Sequence, residues 1–186
     1  MKTISYAITV HNEIDELTKL LNFLQLHIRK EDEIVIQYDE SSATDEVKEY
    51  LTLMNSMHEN HKVCRFPLNK DFASFKNNLK LHCSKDYIFQ VDADEIPHEY
   101  LVEYLGEVLE TNPVDIVFVP RVNTVEGLEQ SHIDKWKWNV NDKGWVNFPD
   151  YQTRIYRNTE DVTWMNKVHE RITGYDTFSN FPAEEQ

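Results

Sequence analysis

The chain has 186 residues, enough for one α/β domain with a buried core and too few for two large domains. It carries 33 acidic residues against 19 lysines and arginines, and the resulting net charge of -14 excludes nucleic acid as its main partner, because like charges repel. Its 2 cysteines form no Cys-x-x-Cys or His/Cys cluster, and no signal peptide or transmembrane segment is visible, so we expect a reduced, cytoplasmic protein without zinc.

Strands and helices alternate through the first two thirds of the chain. Apolar β-branched runs predict strands, and apolar residues spaced three and four apart predict the helices between them. The predicted order is strand 3–10, helix 13–28, strand 33–38, helix 44–58, strand 62–66, helix 71–82, strand 87–91, helix 97–110 with Pro97 in its first turn, and strand 114–119. Such alternation predicts an α/β fold with a mostly parallel sheet covered by helices on both faces.

The pattern changes in the last third of the chain. Residues 121–150 have few periodic apolar positions and are expected to form a long, partly irregular excursion. Two later strands, 151–157 and 162–165, are predicted to form a mixed or antiparallel part. The polar and aromatic tail from Gly174 is expected to be loosely ordered.

Polar segments follow the predicted strands at residues 11–13, 39–42, 69–71 and 92–95. The carboxyl ends of parallel strands lie at one edge of a sheet, and ligands of open α/β sheets bind outside that edge. We therefore expect these segments to gather there around a ligand.

The acidic run after strand 87–91 is a candidate metal site. Glycine is scarce, with 4 in the chain, and no GxGxxG or P-loop pattern offers backbone amides to phosphate. A divalent cation held by carboxylates can neutralise phosphate instead, and Mg²⁺ prefers oxygen ligands. Asp92 and Asp94 could both face a cleft at the strand end. The alternative is an acidic loop that caps the next helix through Asp94 or Glu95.

Several segments together resemble the family-2 glycosyltransferases with the GT-A nucleotide-sugar fold. The segments are ITVHNE at 8–13, YDESSATDE at 38–46, Asn-Lys-Asp at 69–71 with Phe-Lys-Asn at 75–77, and DADE at 92–95. Their order and spacing are more specific than any one of them. His11 stands where the family usually has tyrosine, and Lys76 where it has arginine.

A second resemblance lies later in the chain. YQTRIYR at 151–157 and WMNKVHERI at 164–172 look like the C-terminal part of a bacterial subgroup that glycosylates lipopolysaccharide or similar acceptors. The resemblance implies one Rossmann-like GT-A domain over residues 1–186. Residues 1–95 would form its nucleotide-binding half and residues 96–186 its acceptor-side half.

The resemblance also implies residues that bind the nucleotide. His11, Glu13 and Asp39 would contact the nucleoside, Lys76 would offset the charge of the diphosphate, and Asp92 would bind it through the metal. The ordinary alternatives are a surface histidine for His11, a helix N-cap region for the carboxylates that follow the strands, and a solvated helix lysine for Lys76.

Asp92, Asp94 and His169 would hold Mn²⁺ or Mg²⁺. An imidazole is a common metal ligand, and His169 could equally donate to phosphate or be a satisfied interior histidine. All three assignments are implied by the resemblance.

Catalysis would fall to Glu170 as general base and to Asp94 at the metal, with Asp150 and Glu126 as rival bases. Other residues could serve phosphate or the acceptor, or be ordinary strand and core residues: Gln152, Arg154, Trp136, Trp138, Trp145 and Trp164.

The function implied is transfer of a sugar from a nucleoside diphosphate donor, with a UDP-sugar favoured, to a hydroxyl of a carbohydrate, lipid-linked or protein acceptor. The family resemblance implies inversion at the anomeric carbon. One alternative is a phosphatase of the haloacid dehalogenase type, although those enzymes place Asp-x-Asp on the first strand. Another is a non-catalytic domain that binds nucleotide or carbohydrate.

Overall fold

The computed structural model describes residues 1–183, so the last residues of the predicted domain 1–186 lie outside the described part. The strands, in chain order, are β1 (Ile4–Val10), β2 (Glu33–Asp39), β3 (His61–Phe66), β4 (Tyr87–Asp92), β5 (Ile116–Arg121), β6 (Asp150–Arg157), β7 (Thr163–Met165), β8 (Arg171–Thr173) and β9 (Phe178–Asn180). The helices are α1 (Ile14–His27), α2 (Asp45–Met57), α3 (Phe72–His82), α4 (Glu99–Thr111) and α5 (Gln130–Trp136).

Seven strands form the central sheet in the order β3-β2-β1-β4-β6-β5-β9, and β7 pairs with β8 in a separate two-stranded ribbon. β1 runs parallel to β2 and β4, β2 runs parallel to β3, and β9 runs parallel to β5. β6 is antiparallel to both β4 and β5, so within the described sheet it runs against its six companions. The predicted fold class, a mostly parallel sheet with a mixed C-terminal part, is confirmed.

The sheet is covered on both faces, as the alternation of apolar residues along its strands requires. Tyr6 and Ile8 of β1 join a core with the buried faces of α1, α2 and α4. Ala7, between them, points to the opposite core, which α3 shares with Trp164 of β7 and Ile172 of β8.

The helix starts follow ordinary capping. Thr44 caps α2 by accepting from the Val47 amide, and Asp71 caps α3 by accepting from the Ser74 amide. The predicted first turn of α4 is wrong: His98 is its N-cap, and Pro97 precedes the helix.

One prediction for the last third needs correction, that of a loosely ordered tail. The strand predicted at 162–165 is β7, which pairs antiparallel with β8 in the ribbon. The tail predicted to be loosely ordered contains β9, because its backbone pairs with β5 at the sheet edge. The excursion over 121–150 includes the short helix α5, whose residues are all outside the core.

The strand directions bring functional candidates to one edge. The carboxyl ends of β1, β2, β4 and β5 lie there together with the start of the antiparallel strand β6. No helix among residues 1–183 is long and apolar enough to cross a membrane.

Candidate active site

The acidic turn after β4 stands at this edge. Asp92 ends the strand, its Oδ1 accepts a hydrogen bond of 3.0 Å from the Thr9 hydroxyl, and its carbonyl accepts from the Glu95 amide at 3.0 Å. This turn buries Ala93 and leaves Asp94 exposed. Within the described residues the Asp94 carboxylate has no hydrogen-bond or ion-pair partner, so it is available to a ligand.

Arg154 joins the two other carboxylates of the turn. It comes from β6, next to β4 in the sheet, and its Nη1 lies 3.1 Å from Oδ2 of Asp92 while its Nη2 contacts Oε1 of Glu95. The Arg154 residue is only 8% exposed, so its charge is compensated almost entirely by these partners. A buried guanidinium placed in this way fixes the direction of both carboxylates.

The network extends to β5. Arg121, the last residue of β5, lies 3.6 Å from Oε1 of Glu95 and 2.6 Å from Oδ2 of Asp150. Asp150 also accepts hydrogen bonds from Asn123 at 3.1 Å and Gln152 at 2.7 Å. Acidic and basic side chains therefore alternate along the edge.

The surroundings shift the pKa values of Asp92 and Glu95 in opposite directions. Burial raises the pKa of Asp92, but Arg154, Lys76 and the Thr9 hydroxyl outweigh burial and hold it below its usual value. Burial raises the pKa of Glu95 above its usual value, against the attraction of Arg154 and with the added repulsion of Asp92. Asp92 is thus ionised at neutral pH.

Lys76 and Glu170 form an ion pair beside this network, with 2.6 Å between Nζ and Oε1. Lys76 lies on α3, and Glu170 immediately precedes β8, so the pair ties the helix to the ribbon. The ammonium also lies 4.5 Å from the centre of the Trp164 ring. Its positive charge also lowers the pKa of Asp92.

Asp39, predicted to contact the nucleoside, is buried at the end of β2 and closes its own loop. Its carboxylate accepts from the amides of Ser41 and Leu68, both at 3.0 Å, and from the Ser42 hydroxyl. Burial raises the pKa of Asp39, and the bonds from Ser42, Leu68 and Ser41 lower it below its usual value overall. Its contact with a nucleoside stays a prediction.

Glu13 and His11 lie at the end of β1. The Glu13 carboxylate accepts from the amides of His11 and Asn12, at 2.9 and 3.0 Å, and so shapes the turn into α1. The His11 side chain is exposed, and it lowers the pKa of Asp39 across the gap between the two strand ends.

His169 is placed differently from the other predicted ligands. It is exposed in the turn of the ribbon, with a left-handed φ of 55°. Within residues 1–183 there is no group of three or more His, Cys, Asp or Glu side chains that could hold a metal ion, so His169 does not complete a cluster with Asp92 and Asp94. Of the rival bases, Asp150 lies in the ionic network and Glu126 is exposed in the excursion.

A cleft of about 900 Å³ opens beside the acidic turn. Val91 and Val119 contribute apolar lining, and Asp92 and Asp94 lie at the same cleft. The four tryptophans lie in different places. Trp145 lines this cleft, and Trp164 is in the core. Trp136 and Trp138 stack on each other with 6.2 Å between ring centres.

Sequence reasoning assigned no functional role to Arg121, Tyr100 or Tyr104, and it treated Glu95 only as a helix cap. Arg121 follows the predicted strand 114–119, so the strand-end signal that singled out Asp92 could have found it. The two tyrosines could be identified only once the structure showed that α4 lies beside the cleft.

The fold and site define the class: an α/β domain of the GT-A type, with Asp-x-Asp at the end of β4 beside a cleft. Residues 5–185 match the model of glycosyl transferase family 2, and the chain belongs to that family of glycosyltransferases. The predicted resemblance is thereby confirmed, and the phosphatase alternative is wrong. A search of curated proteins found no match.

Solved structures share the fold. TarS 1-349 from S. aureus in complex with UDP-GlcNAc aligns with a TM-score of 0.68 and 16% identity over 97% of this chain and 56% of that chain. A second crystal structure of TarS 1-349 gives a TM-score of 0.66 at 16% identity, over 97% of this chain and 58% of that chain. The chain therefore spans a little over half the length of TarS 1-349.

A more distant structure is the mannosyltransferase PcManGT from Pyrobaculum calidifontis in complex with GDP-Man and Mn²⁺. It aligns with a TM-score of 0.52 and 17% identity over 62% of this chain and 34% of that chain.

Proposed function

We propose that the chain transfers a sugar from a nucleoside diphosphate donor to an acceptor hydroxyl in a metal-dependent reaction with inversion. The observation that carries the proposal is the position of Asp92 and Asp94, at the end of β4 and beside a cleft. Family membership supports the reaction class.

The donor atoms at the acidic turn fit Mn²⁺ or Mg²⁺. Asp94 offers an exposed carboxylate, Asp92 is ionised, and both present the hard oxygen ligands that these cations prefer. Because no group of three His, Cys, Asp or Glu side chains among residues 1–183 could hold a metal ion, diphosphate oxygens and water would complete the coordination, without His169. When bound, the cation stabilises the negative charge that develops on the leaving diphosphate. The mannosyltransferase complex with GDP-Man and Mn²⁺ supports this assignment.

We assign the general base to Glu170. Lys76 holds the Glu170 carboxylate at 2.6 Å and so orients it, and a carboxylate can accept the proton of the acceptor hydroxyl. The freed oxygen then attacks the anomeric carbon from the side opposite the diphosphate, which gives inversion. Lys76, whose charge lowers the pKa of Asp92, would also offset diphosphate charge.

The donor half of the proposal rests on residues 1–95. His11, Glu13 and Asp39 lie together at the ends of β1 and β2, where we place the nucleoside. TarS in complex with UDP and with UDP-GlcNAc supports a UDP-sugar as donor. We place the acceptor in the half formed by residues 96–186.

We also propose a reducing, cytoplasmic location. Cys64 and Cys83 are both free, and burial raises the pKa of each thiol to about 12, so neither is reactive at neutral pH.

Release of free nucleoside diphosphate tests the proposal. The protein is incubated with UDP-GlcNAc, UDP-Glc or GDP-Man, with Mn²⁺, with Mg²⁺ or with a chelator. We expect cation-dependent release from one of these donors. Tight nucleotide binding without release, even with a mixture of sugar acceptors, would favour the non-catalytic alternative.

A further inference from the structure

A row of aromatic rings lines the cleft from the start of α4. The rings of His98 and Tyr100 lie 5.5 Å apart at an interplanar angle of 14°, and those of Tyr100 and Tyr104 lie 6.0 Å apart at 27°. All three residues line the cleft, and the two tyrosines are 61% and 50% exposed. The rings are therefore available to a ligand.

These rings suit a sugar. Tyrosine combines a flat apolar face with a hydroxyl, and a pyranose ring combines a C–H face with hydroxyl groups at its rim. Trp145, from the excursion, adds a further aromatic surface to the same cleft. The cleft of about 900 Å³ lies near the upper end of the roughly 300–1,000 Å³ that small-ligand sites occupy, so it suits a short oligosaccharide.

The charges at the cleft argue against an anionic ligand. Asp92, Asp94 and Glu95 line it, and the positive charges of Arg121 and Arg154 are engaged by carboxylates. A sulfated glycan or an anionic lipid headgroup would meet a surplus of negative charge, whereas a neutral glycan would not.

We propose that the cleft beside α4 binds a neutral carbohydrate acceptor, with Tyr100 and Tyr104 as a stacking wall for its sugar rings. This inference rests on the proposed sugar transfer and names the acceptor class for it.

The test is direct binding measured by isothermal titration, with and without UDP and Mn²⁺. The probes are cellotetraose, maltotetraose, mannotetraose and chitotetraose, with a heparin tetrasaccharide and phosphatidylglycerol vesicles as anionic comparisons. The variant is Tyr100→Ala/Tyr104→Ala, whose rings are exposed and so contribute little to folding. The matched control, Leu26→Ala/Leu81→Ala, removes two side chains that are each 81% exposed and outside the cleft.

We expect at least one neutral tetrasaccharide to bind, and the tyrosine variant to weaken it by roughly tenfold or more, as the loss of two stacking rings implies. The control should bind as the wild type does. Failure of every neutral probe, equal binding by the tyrosine variant, or binding of heparin or vesicles alone would overturn the inference.

The binding of UDP separates this inference from the proposed function. If UDP with Mn²⁺ binds and no neutral tetrasaccharide does, the acceptor assignment fails alone. If a tetrasaccharide binds through the tyrosines and UDP does not bind, the proposed donor chemistry fails and the carbohydrate site stands.

Discussion

His61 should make the fold sensitive to mild acid. The residue begins β3, is 5% exposed, and neither of its ring nitrogens has a hydrogen-bond partner among the described residues. Burial, together with the His58 ring stacked at 4.5 Å, lowers its pKa from 6.5 to about 4. The folded protein therefore holds a neutral histidine that the unfolded chain would protonate first.

The sign and size of the effect follow from linkage. Between about pH 6.5 and about pH 4 the unfolded chain binds the proton and the folded chain does not, so acid favours unfolding. Each pKa unit is worth about 1.4 kcal/mol, and the difference between 6.5 and about 4 corresponds to about 3 kcal/mol lost across that range. Above about pH 7 the histidine is neutral in both states and contributes nothing to this dependence.

Urea unfolding, followed by tryptophan fluorescence between about pH 7 and about pH 4.5, measures this loss. We compare the wild type with His61→Leu, which removes the titrating ring and its two unsatisfied nitrogens. The wild type should lose about 2–3 kcal/mol more than the variant over this interval. Parallel pH profiles for the two proteins would refute the reasoning.

Three further predictions concern the ion pair and a turn. Glu170→Gln should lower kcat by roughly 100-fold or more with little change in the affinity for UDP, because a general base acts in the transition state. Lys76→Met should destabilise the fold by about 2 kcal/mol, less than the roughly 3–5 kcal/mol for a fully buried pair, because the Glu170 carboxylate keeps some exposure. Gly174→Ala should destabilise by about 3 kcal/mol or more, because the new Cβ would overlap the Asp161 carbonyl at a φ of +78°.

Each has its check. Steady-state kinetics and UDP titration test Glu170→Gln, and near wild-type turnover would move the base to Asp150 or Glu126. Urea unfolding tests Lys76→Met against Lys76→Met/Glu170→Leu, and no recovery of stability in the double variant would contradict a coupled pair. For Gly174→Ala the control is Gly127→Ala, at a φ of +67° with open space, which should lose only about 1 kcal/mol. Equal losses in both would remove the steric explanation.

The predicted and observed strands agree best where a run of apolar residues determines the local structure. The strands β1, β2 and β4 are almost entirely buried and rich in apolar residues because they lie in the middle of the sheet, and such apolar runs are visible in a single sequence. The strand-end positions of Asp39 and Asp92 follow from the same pattern. The parallel order then brings them to one edge without further information.

Short elements were missed because their partners are distant in sequence. β9 has three residues, and its pairing with β5 depends on a neighbour about 60 positions earlier. α5 has no buried residue, so it leaves no apolar period to detect.

The ionic network could not be predicted either, because its members are also distant in sequence. Arg154 reaches Asp92 and Glu95 only because β6 inserts antiparallel beside β4, and strand order cannot be read from one sequence. The pairing of Lys76 with Glu170 was likewise hidden, although the resemblance over residues 164–172 had singled out Glu170.

Cation-dependent binding of UDP tests the central claim most directly. Calorimetric titration of UDP, with Mn²⁺ and with a chelator, compares the wild type with Asp94→Asn and with Asp142→Asn, which removes another exposed carboxylate, in the excursion. The account predicts that Mn²⁺ strengthens UDP binding in the wild type and in Asp142→Asn, and that Asp94→Asn loses this gain by roughly tenfold or more. UDP binding in Asp94→Asn that depends on Mn²⁺ as strongly as in the wild type would contradict the account.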